Sequence, residues 1–309
     1  LYLSINICID HSTRTAILDQ TTYIMAMWKR FGFGENHRVR SPFMENFNVL
    51  PDEERAAMTD SDWAFTKSFP YRELVGSLLF ISMCTRGDIA YHVSYLSRFL
   101  ESPPKSACLA AKRVLIYLFN TKEQKLVLGG VSKPLLSLFC DTDFANCVVT
   151  RKSVECYMLY FGNGCIMWCS KQQPNIALSV AEAEYCCMTP GVNMVRWVRN
   201  LLYELGVGYT RATAVYTDNT TAQSLASNPV HHSRMKQLHL KSLVLRDINK
   251  CGVVCCGRVS TSENPADLGT KALGASETER KANYFFNGMS HIDFEPIARP
   301  LTTPNDYSM

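Results

Sequence analysis

The segment Leu135-Leu-Ser-Leu-Phe-Cys-Asp-Thr-Asp-Phe144 is a predicted β-strand that carries two carboxylates near its end. Beyond it, Cys156–Phe161 and Cys165–Ser170 flank Gly162-Asn163-Gly164, a composition typical of a tight turn between paired strands. The segment is therefore the first of three predicted strands, and the second and third form a predicted hairpin.

Helices and strands alternate after this run. A long segment from about Ser179 to Gly206 has helical apolar periodicity, and shorter elements follow it. They are a strand over Thr213–Thr217, helices over Asn219–Ser227 and Gln237–Lys250, a strand over Val253–Val259 and a helix over Pro265–Leu273. The order βββαβα(α)βα predicts an α/β domain, with a mixed sheet and helices packed on its faces.

Pro190 lies inside the long predicted helix. There it would remove a backbone hydrogen bond and clash with the preceding turn, at a cost of about 3 kcal/mol. Thr189 could instead cap a second helix with Pro190 at its first position. The sequence leaves both arrangements open.

The first 130 residues have a different pattern. Two strands, Leu1–Ile9 and Thr15–Asp19, predict a hairpin. A helix capped by Thr21 or Thr22 follows and ends at Gly32 or Gly34. Residues 39–70 are rich in turn signals and predict a linker, whereas residues 71–121 show three-to-four apolar spacing and predict packed helices.

The composition is that of an ordinary globular protein: 309 residues, 47% hydrophobic and 19% charged, with a net charge of +4. This mild positive charge permits binding to phosphate backbones but does not demand it. No window approaches the roughly 18 uninterrupted apolar residues of a membrane span. The chain begins at Leu1 within an apolar run, without an initiator Met or a signal peptide, so we expect a soluble fragment of a longer protein.

The 13 cysteines are scattered through predicted core segments, as is typical of buried thiols in a reducing compartment. Cys251 and the Cys255-Cys256 pair suggest zinc, but no second pair at finger spacing follows them. Packed strand cysteines are the favoured interpretation.

Four acids lie at predicted strand ends or helix starts. Asp141 lies in the first strand of the mixed sheet, Glu184 in the long helix, Asp218 after the fourth strand and Asp267 in the last helix. If the first and fourth strands are neighbours, these carboxylates converge at one edge of the sheet. They would then repel one another unless divalent cations neutralised them, and two Mg²⁺ ions about 4 Å apart fit that requirement. Such a site predicts in-line hydrolysis of a phosphodiester.

Each acid also has a purely structural interpretation. Asp218 is a good helix N-cap, and Asp267 lies where an acid favours the helix dipole. Spacing alone does not decide whether Asp141 or Asp143 belongs to the site, or whether Glu182 or Glu184 does.

A series of short segments runs through the chain in a recognisable order. They are Tyr71-Arg-Glu-Leu-Val-Gly-Ser-Leu-Leu, Thr85-Arg-Gly-Asp-Ile-Ala, Leu96-Ser-Arg-Phe, Ala110-Ala-Lys-Arg-Val-Leu-Ile-Tyr-Leu, Cys140-Asp-Thr-Asp-Phe-Ala, Arg151-Lys-Ser, Ser170-Lys-Gln-Gln-Pro, Ala183-Glu-Tyr, Trp197-Val-Arg, His232-Ser-Arg and Asn264-Pro-Ala-Asp-Leu-Gly-Thr-Lys. With these segments the chain resembles the C-terminal part of copia-type retrotransposon Pol polyproteins: the end of the reverse transcriptase, a connection and the ribonuclease H domain.

The resemblance implies a ribonuclease H-like mixed sheet with flanking helices, preceded by a helical connection and a small β-hairpin/helix remnant of a reverse transcriptase. The implied boundaries are residues 1–68 for the remnant and linker, 69–130 for the connection, 131–274 for the ribonuclease H-like domain and 275–309 for a tail. The polymerase acids of the family would precede Leu1, so no polymerase site is expected.

The resemblance further implies a Mg²⁺-dependent endonuclease that hydrolyses the RNA strand of RNA–DNA hybrids. Its metal-binding and catalytic acids would be Asp141, Glu184, Asp218 and Asp267, with two Mg²⁺ ions, or Mn²⁺, as cofactors. The implied partners are the hybrid and the upstream reverse transcriptase part of the polyprotein, with no membrane and no small-molecule cofactor. We expect an intracellular location, in the cytoplasm, an element particle or the nucleus.

Such an enzyme should track phosphates with basic side chains and recognise RNA through its 2′-hydroxyls. The candidate phosphate contacts are Arg151, Lys152, Lys171, Arg234 and Lys236. The alternative for each of them is that it belongs to a solvated basic surface and does not contact a phosphate.

The chain also departs from the family pattern. Lys-Ser-Thr-Ser-Gly-Tyr of the family reads Lys152-Ser-Val-Glu-Cys-Tyr157, and Arg-Pro-Asp reads Arg86-Gly-Asp88. The family's Thr-Lys-His-Ile-Asp reads Met235-Lys-Gln-Leu-His239. These substitutions keep a second hypothesis open, in which a decayed or repurposed copy binds nucleic acid or protein without catalysis.

Overall fold

The computed structural model of the chain describes residues 2–32, 38–130, 135–220, 245 and 247–288. Within these ranges the strands are β1 (Asn6–Asp10), β2 (Thr15–Asp19), β3 (Leu126–Gly129), β4 (Leu136–Asp143), β5 (Val154–Phe161), β6 (Gly164–Gln172), β7 (Thr213–Thr217) and β8 (Val254–Arg258). The α-helices are α1 (Thr21–Phe31), α2 (Pro51–Ala57), α3 (Asp60–Ser68), α4 (Tyr71–Cys84), α5 (Ala90–Leu96), α6 (Lys105–Asn120), α7 (Val180–Glu204) and α8 (Ala275–Asn287).

The central sheet of the described residues has the strand order β6-β5-β4-β7-β8. β5 is antiparallel to both β4 and β6, whereas β7 is parallel to both β4 and β8. Phe139 of β4 lies opposite Tyr216 of β7, and Asp141 and Asp218 each follow two residues later. The predicted convergence depended on these two strands being neighbours; they are adjacent, and they bring both acids to one edge of the sheet.

Helices cover both faces of this sheet, which confirms the expected α/β class with a mixed sheet and flanking helices. α7 packs on β4 and β5, and its Val192 and Val195 share a buried cluster with Leu138 and Leu159. The opposite face is covered by α8 and by a 3₁₀ helix over Pro265–Gly269.

The upstream helices build a second core, which includes Leu74, Leu78 and Leu115. The predicted hairpin is present, but among the described residues it forms a three-stranded antiparallel sheet, because β3 pairs with β2. The helix after it begins at Thr21 without a side-chain cap, so neither predicted threonine caps it.

Two parts of the chain differ in secondary structure from the prediction. The segment 39–70 contains α2, with a proline at its first turn, and α3, which begins with a capping box between Thr59 and Asp62. The predicted last helix is the short 3₁₀ helix over Pro265–Gly269, and α8 occupies the start of the segment assigned to a tail.

α7 is a single continuous helix that contains Pro190, so of the two arrangements that the sequence left open, the unbroken helix is the one observed. Most of the predicted helices over residues 219–227 and 237–250 lies outside the described residues. The domain boundaries remain predictions, although β3 pairs across the one at residue 68 and α8 packs across the one at residue 274. In the described part of the chain, no helix has both the length and the apolar character needed to cross a membrane.

Candidate metal centre

Asp141, Glu184 and Asp218 come together at the edge where β4 and β7 end. Each of the three offers a carboxylate oxygen, and these oxygens all lie within 4.8 Å of one another. Asp141 and Glu184 are buried, whereas Asp218 is half-buried at the opening of the site. Three hard oxygen donors in this arrangement could hold a Mg²⁺ or Mn²⁺ ion.

The first turn of α7 places Glu184, and not Glu182, among the clustered acids. Ser179 caps the helix by accepting a hydrogen bond from the backbone amide of Glu182, and the Glu182 side chain accepts one from the amide of Leu178. Glu182 therefore completes the N-terminal cap of α7. Two positions later, Glu184 points inward, where the backbone amide of Thr142 donates to its Oε1 at 3.2 Å.

Threonines from three segments surround the carboxylates. Thr270 donates to Asp141 Oδ2 at 2.6 Å, Thr217 to Glu184 Oε2 at 3.5 Å, and Thr261 to Asp218 Oδ2 at 2.7 Å. These hydroxyls orient the acids while leaving lone pairs free for a cation. Neutral hydroxyls lack a charge signal in the sequence, and none of the three was predicted.

Burial and mutual repulsion perturb the two inner acids. Burial raises the pKa of Asp141 to about 8, and the charge of Asp267 adds to this effect. Burial likewise raises the pKa of Glu184 to about 10, with Asp141 and Asp218 acting in the same direction. Without a cation the cluster therefore retains protons at neutral pH, and a bound divalent ion would favour their release.

Asp143 is held apart from the three clustered acids. It is half-buried, its carboxylate accepts a hydrogen bond from the Asn146 side chain, and burial raises its pKa. The geometry thus distinguishes Asp141 from Asp143, which spacing alone did not.

Asp267 lies beside Asp141 but has different partners. The two carboxyl groups share a hydrogen bond, while Lys271 Nζ lies 2.9 Å from Asp267 Oδ1 and Lys281 Nζ 2.8 Å from Oδ2. Burial opposes ionisation of Asp267, but the two lysines outweigh it and hold its pKa below the ordinary value. Lys281 was missed because it lies in α8, within the segment assigned to a tail.

The candidate phosphate contacts are only partly described. Arg151 is exposed and Lys152 half-buried in the turn before β5. Lys171 is half-exposed, but its Nζ lies 3.4 Å from Oε1 of the buried Glu155. Arg234 and Lys236 lie outside the described residues. Glu155 is the residue that replaces a serine of the family pattern.

The cysteines lie where packed strand residues are expected. Cys255 points into the core beneath α8, and Cys256 packs against the cluster beneath α7. Among the described residues, which include all 13 cysteines, no disulfide bond is present.

Comparison with known proteins places the chain among transposon polyproteins. It is 33% identical over 277 residues to the retrovirus-related Pol polyprotein from transposon TNT 1-94 of Nicotiana tabacum, a match that covers 90% of this chain and 21% of that protein. It is 35% identical over 213 residues to the corresponding polyprotein from transposon RE1 of Arabidopsis thaliana, covering 69% of this chain and 14% of that protein. The chain thus spans about a fifth or less of the length of these relatives. No protein-family model matches it.

Among solved structures, the N-terminal RNase H domain of Rv2228c from Mycobacterium tuberculosis, determined as a fusion with maltose-binding protein, is similar with a TM-score of 0.32. The two chains are 13% identical, and the match covers 48% of this chain and 97% of the other. A likeness at this score carries no argument of its own, so the assignment rests on the sequence relatives. By that relationship, the chain belongs to the family of copia-type retrotransposon Pol polyproteins.

Proposed function

We propose that this chain hydrolyses the RNA strand of RNA–DNA hybrids, with a divalent cation held by Asp141, Glu184 and Asp218. The observation that carries the proposal is the convergence of these three carboxylates, from β4, α7 and the end of β7, to within 4.8 Å of one another. Membership of a polyprotein family related to retroviral Pol supports the choice of substrate.

Hydrogen bonds to the acids support this proposal. Asp141 and Glu184 are fixed by hydrogen bonds from Thr270 and Thr142, so they need little reorganisation when charge develops on a bound phosphodiester. Asp218 is half-buried, which leaves the site open to an extended substrate. A divalent cation in this cluster would supply a better nucleophile from water and stabilise the leaving oxygen.

Basic side chains near the site would contact the backbone of the hybrid. We propose Arg151, Lys152 and Lys171, on the turn before β5 and at the end of β6, as phosphate contacts. We propose Arg234 and Lys236 for the same role on the sequence pattern. Such contacts position a duplex without reading its sequence, so little base preference is expected. The reverse transcriptase part of a longer polyprotein is the proposed partner that would supply the hybrid.

The test is cleavage of a labelled RNA–DNA hybrid, compared with RNA and DNA duplexes of the same sequence. Wild-type protein should cut only the RNA strand of the hybrid, and only with Mg²⁺ or Mn²⁺. Asp141→Asn should reduce the rate by at least 100-fold. Asp52→Asn, which changes an aspartate whose side chain is 92% exposed in α2, is the matched control and should cut normally. A wild-type protein that binds the hybrid without cutting it would favour the second hypothesis, in which the chain binds nucleic acid without catalysis.

A further inference from the structure

The ammonium of Lys281, in α8, is surrounded by oxygen acceptors. Its Nζ lies 2.8 Å from Asp267 Oδ2, and it donates to the backbone carbonyls of Thr261 and Asn264 at 2.8 Å and of Ser262 at 3.3 Å. The side chain is only 1% exposed. A buried ammonium with a carboxylate partner and carbonyl acceptors is satisfied as a charged group. Lys281 therefore holds Asp267 and the three carbonyls before it together.

The segment 261–264, which supplies these carbonyls, also contacts the ends of the two strands that carry clustered acids. The hydroxyl of Thr261 donates to Asp218 Oδ2 at 2.7 Å, at the end of β7. The side-chain amide of Asn264 donates at 2.9 Å to the carbonyl of Cys140, which directly precedes the first clustered acid in β4. Through this segment the buried ammonium is connected to both strand ends.

The second oxygen of Asp267 is not held in the same way. With Asp141 ionised, no described residue donates a hydrogen bond to the buried Oδ1 of Asp267, although Lys271 Nζ lies 2.9 Å away as an ion-pair partner. When Asp141 is protonated, the two carboxyl groups share a hydrogen bond. Oδ1 is therefore the oxygen that Asp267 can offer to a cation beside Asp141, and Lys281 determines this by holding Oδ2.

The position of α8 does not depend on Lys281 alone. Phe285 and Phe286 are 0% and 1% exposed. The ring of Phe285 meets that of Trp168 edge-on, with centroids 4.9 Å apart, and the Arg86 guanidinium lies 5.3 Å from the centre of the Phe286 ring. These aromatic contacts fix the helix against the sheet and the upstream helices. Loss of the ammonium should therefore leave α8 in place.

We propose that Lys281 is a positioning residue of the metal centre, which fixes Asp267 and the segment 261–264 in the arrangement that a bound cation requires. The functional unit then includes α8, which lies beyond the predicted boundary at residue 274. The inference rests on the proposed function, because the cation concerned is the one that hydrolysis needs. Lys281 is not a ligand of that cation and acts through Asp267.

Mn²⁺ affinity, measured by electron paramagnetic resonance on the full chain without substrate, tests the proposal. Lys281→Met should raise the Mn²⁺ dissociation constant about 10-fold or more. Lys281→Gln keeps amide donors for the carbonyls and should show the same loss, so it preserves the test if Lys281→Met does not fold.

The matched control is Thr278→Val, also in α8. The hydroxyl of Thr278 is buried one turn before Lys281 and donates to the carbonyl of Leu273 at 3.3 Å. This variant changes a buried polar group of the same helix without removing a partner of Asp267. Its Mn²⁺ dissociation constant should stay within about twofold of the wild-type value.

An Asp267→Asn background separates positioning from a general effect on folding. If Lys281 acts through Asp267, adding Lys281→Gln to Asp267→Asn should change the Mn²⁺ dissociation constant by less than about threefold, whereas independent effects would multiply. Circular dichroism shows whether each variant is folded.

The possible outcomes are distinct. A folded Lys281 variant with Mn²⁺ affinity within about twofold of the wild type would overturn the proposal, and so would an equal loss in both backgrounds. Failure of both Lys281 variants to fold would show that the lysine supports the fold, and would also overturn it. These results leave the proposed nuclease function intact as long as the wild type binds Mn²⁺. A wild type that binds no Mn²⁺ would overturn the proposed function as well.

Discussion

The side-chain amide of Gln173 donates a hydrogen bond of 2.8 Å to the backbone carbonyl of Ala183, the residue immediately before Glu184. The same amide nitrogen donates to Glu155 Oε2 at 3.0 Å. Gln173 directly follows β6, so it ties the edge of the sheet to the turn of α7 that carries a candidate metal ligand. A buried amide in this position fixes where that ligand points.

Gln173→Ala should weaken cation binding without abolishing it. Loss of the bond to Ala183 frees the first turn of α7, and we expect Mn²⁺ affinity to fall about 3- to 10-fold and stability to fall by about 1–2 kcal/mol. Calorimetric titration and urea denaturation measure the two effects. Gln172→Ala is the control, because that neighbouring side chain hydrogen-bonds Thr150 and Cys147 of the turn before β5; an equal loss of affinity in both variants would refute the role of Gln173.

Asp141→Asn should stabilise the protein when no cation is bound. Burial and the Asp267 charge raise the pKa of Asp141 to about 8, so the folded state keeps a proton that the unfolded chain releases above its ordinary pKa near 3.8. The stability that this proton linkage contributes is therefore present at low pH and is lost as the pH rises towards 8. Asparagine does not titrate and can still accept the hydrogen bond from Thr270.

We expect Asp141→Asn to raise the free energy of unfolding at pH 8 by about 1–3 kcal/mol, and to flatten its pH dependence between about 4 and 8. Thermal or urea denaturation in the presence of chelator measures this difference. Mg²⁺ should stabilise only the wild type. A variant that is less stable than the wild type at pH 8 without metal would contradict the electrostatic account of the site.

Glu155→Gln should strengthen binding to an RNA–DNA hybrid. The buried Glu155 carboxylate pairs with Lys171 at 3.4 Å, so it reduces the charge that this lysine offers to a phosphate. Glutamine can still accept the hydrogen bond from Gln173, so only the charge changes. We expect the dissociation constant to fall about 2- to 5-fold at low salt, and the gain to shrink as salt rises.

Fluorescence anisotropy with a labelled hybrid and catalytically inactive protein gives this dissociation constant. Lys171→Met in the same background is the control and should remove the gain. Unchanged affinity in Glu155→Gln would show that Lys171 does not contact the hybrid.

Gly269→Ala should disturb the 3₁₀ helix that presents Asp267. A Cβ atom at Gly269 would lie 2.3 Å from the Cys156 sulfur, inside the core of the sheet. We expect a loss of about 1–3 kcal/mol from this overpacking, measured by urea denaturation. Adding Cys156→Ala to the Gly269→Ala variant should restore part of the lost stability. Gly208→Ala, at a site with open space around it, should cost little; equal losses at both glycines would contradict the packing argument.

The sequence pattern predicts the central sheet well because its signals are local. The apolar run before Asp141, the glycine turn at residues 162–164 and the periodicity of α7 each identify an element without reference to the rest of the chain. The proximity of Asp141 to Asp218 followed from one topological condition, which the parallel pairing of β4 with β7 satisfies.

Other features depend on contacts between residues distant in sequence. β3 is a four-residue strand whose partner, β2, lies more than 100 residues earlier in the chain, so its periodicity is too short to be recognised. Lys281 and Asp267 form an ion pair that no spacing rule predicts. The helices α2 and α3 did have local signals, Pro51 in a first turn and Thr59 in a capping box, but the surrounding turn residues concealed them.

The choice between Glu182 and Glu184 shows the same limit on a smaller scale. Both residues lie in the first turns of one helix, and the distinction depends on which of them caps it. That depends in turn on the approach of the preceding loop. The spacing in the sequence identifies both candidate glutamates, whereas the folded backbone determines which one joins the acidic cluster.

Anomalous diffraction from Mn²⁺-soaked crystals of the full chain tests the central claim most directly. We predict an anomalous peak at the edge of the sheet, in contact with carboxylate oxygens of Asp141, Glu184 and Asp218. A site without a peak, or a Mn²⁺ ion held by other residues while these three carboxylates stay unliganded, would contradict the account.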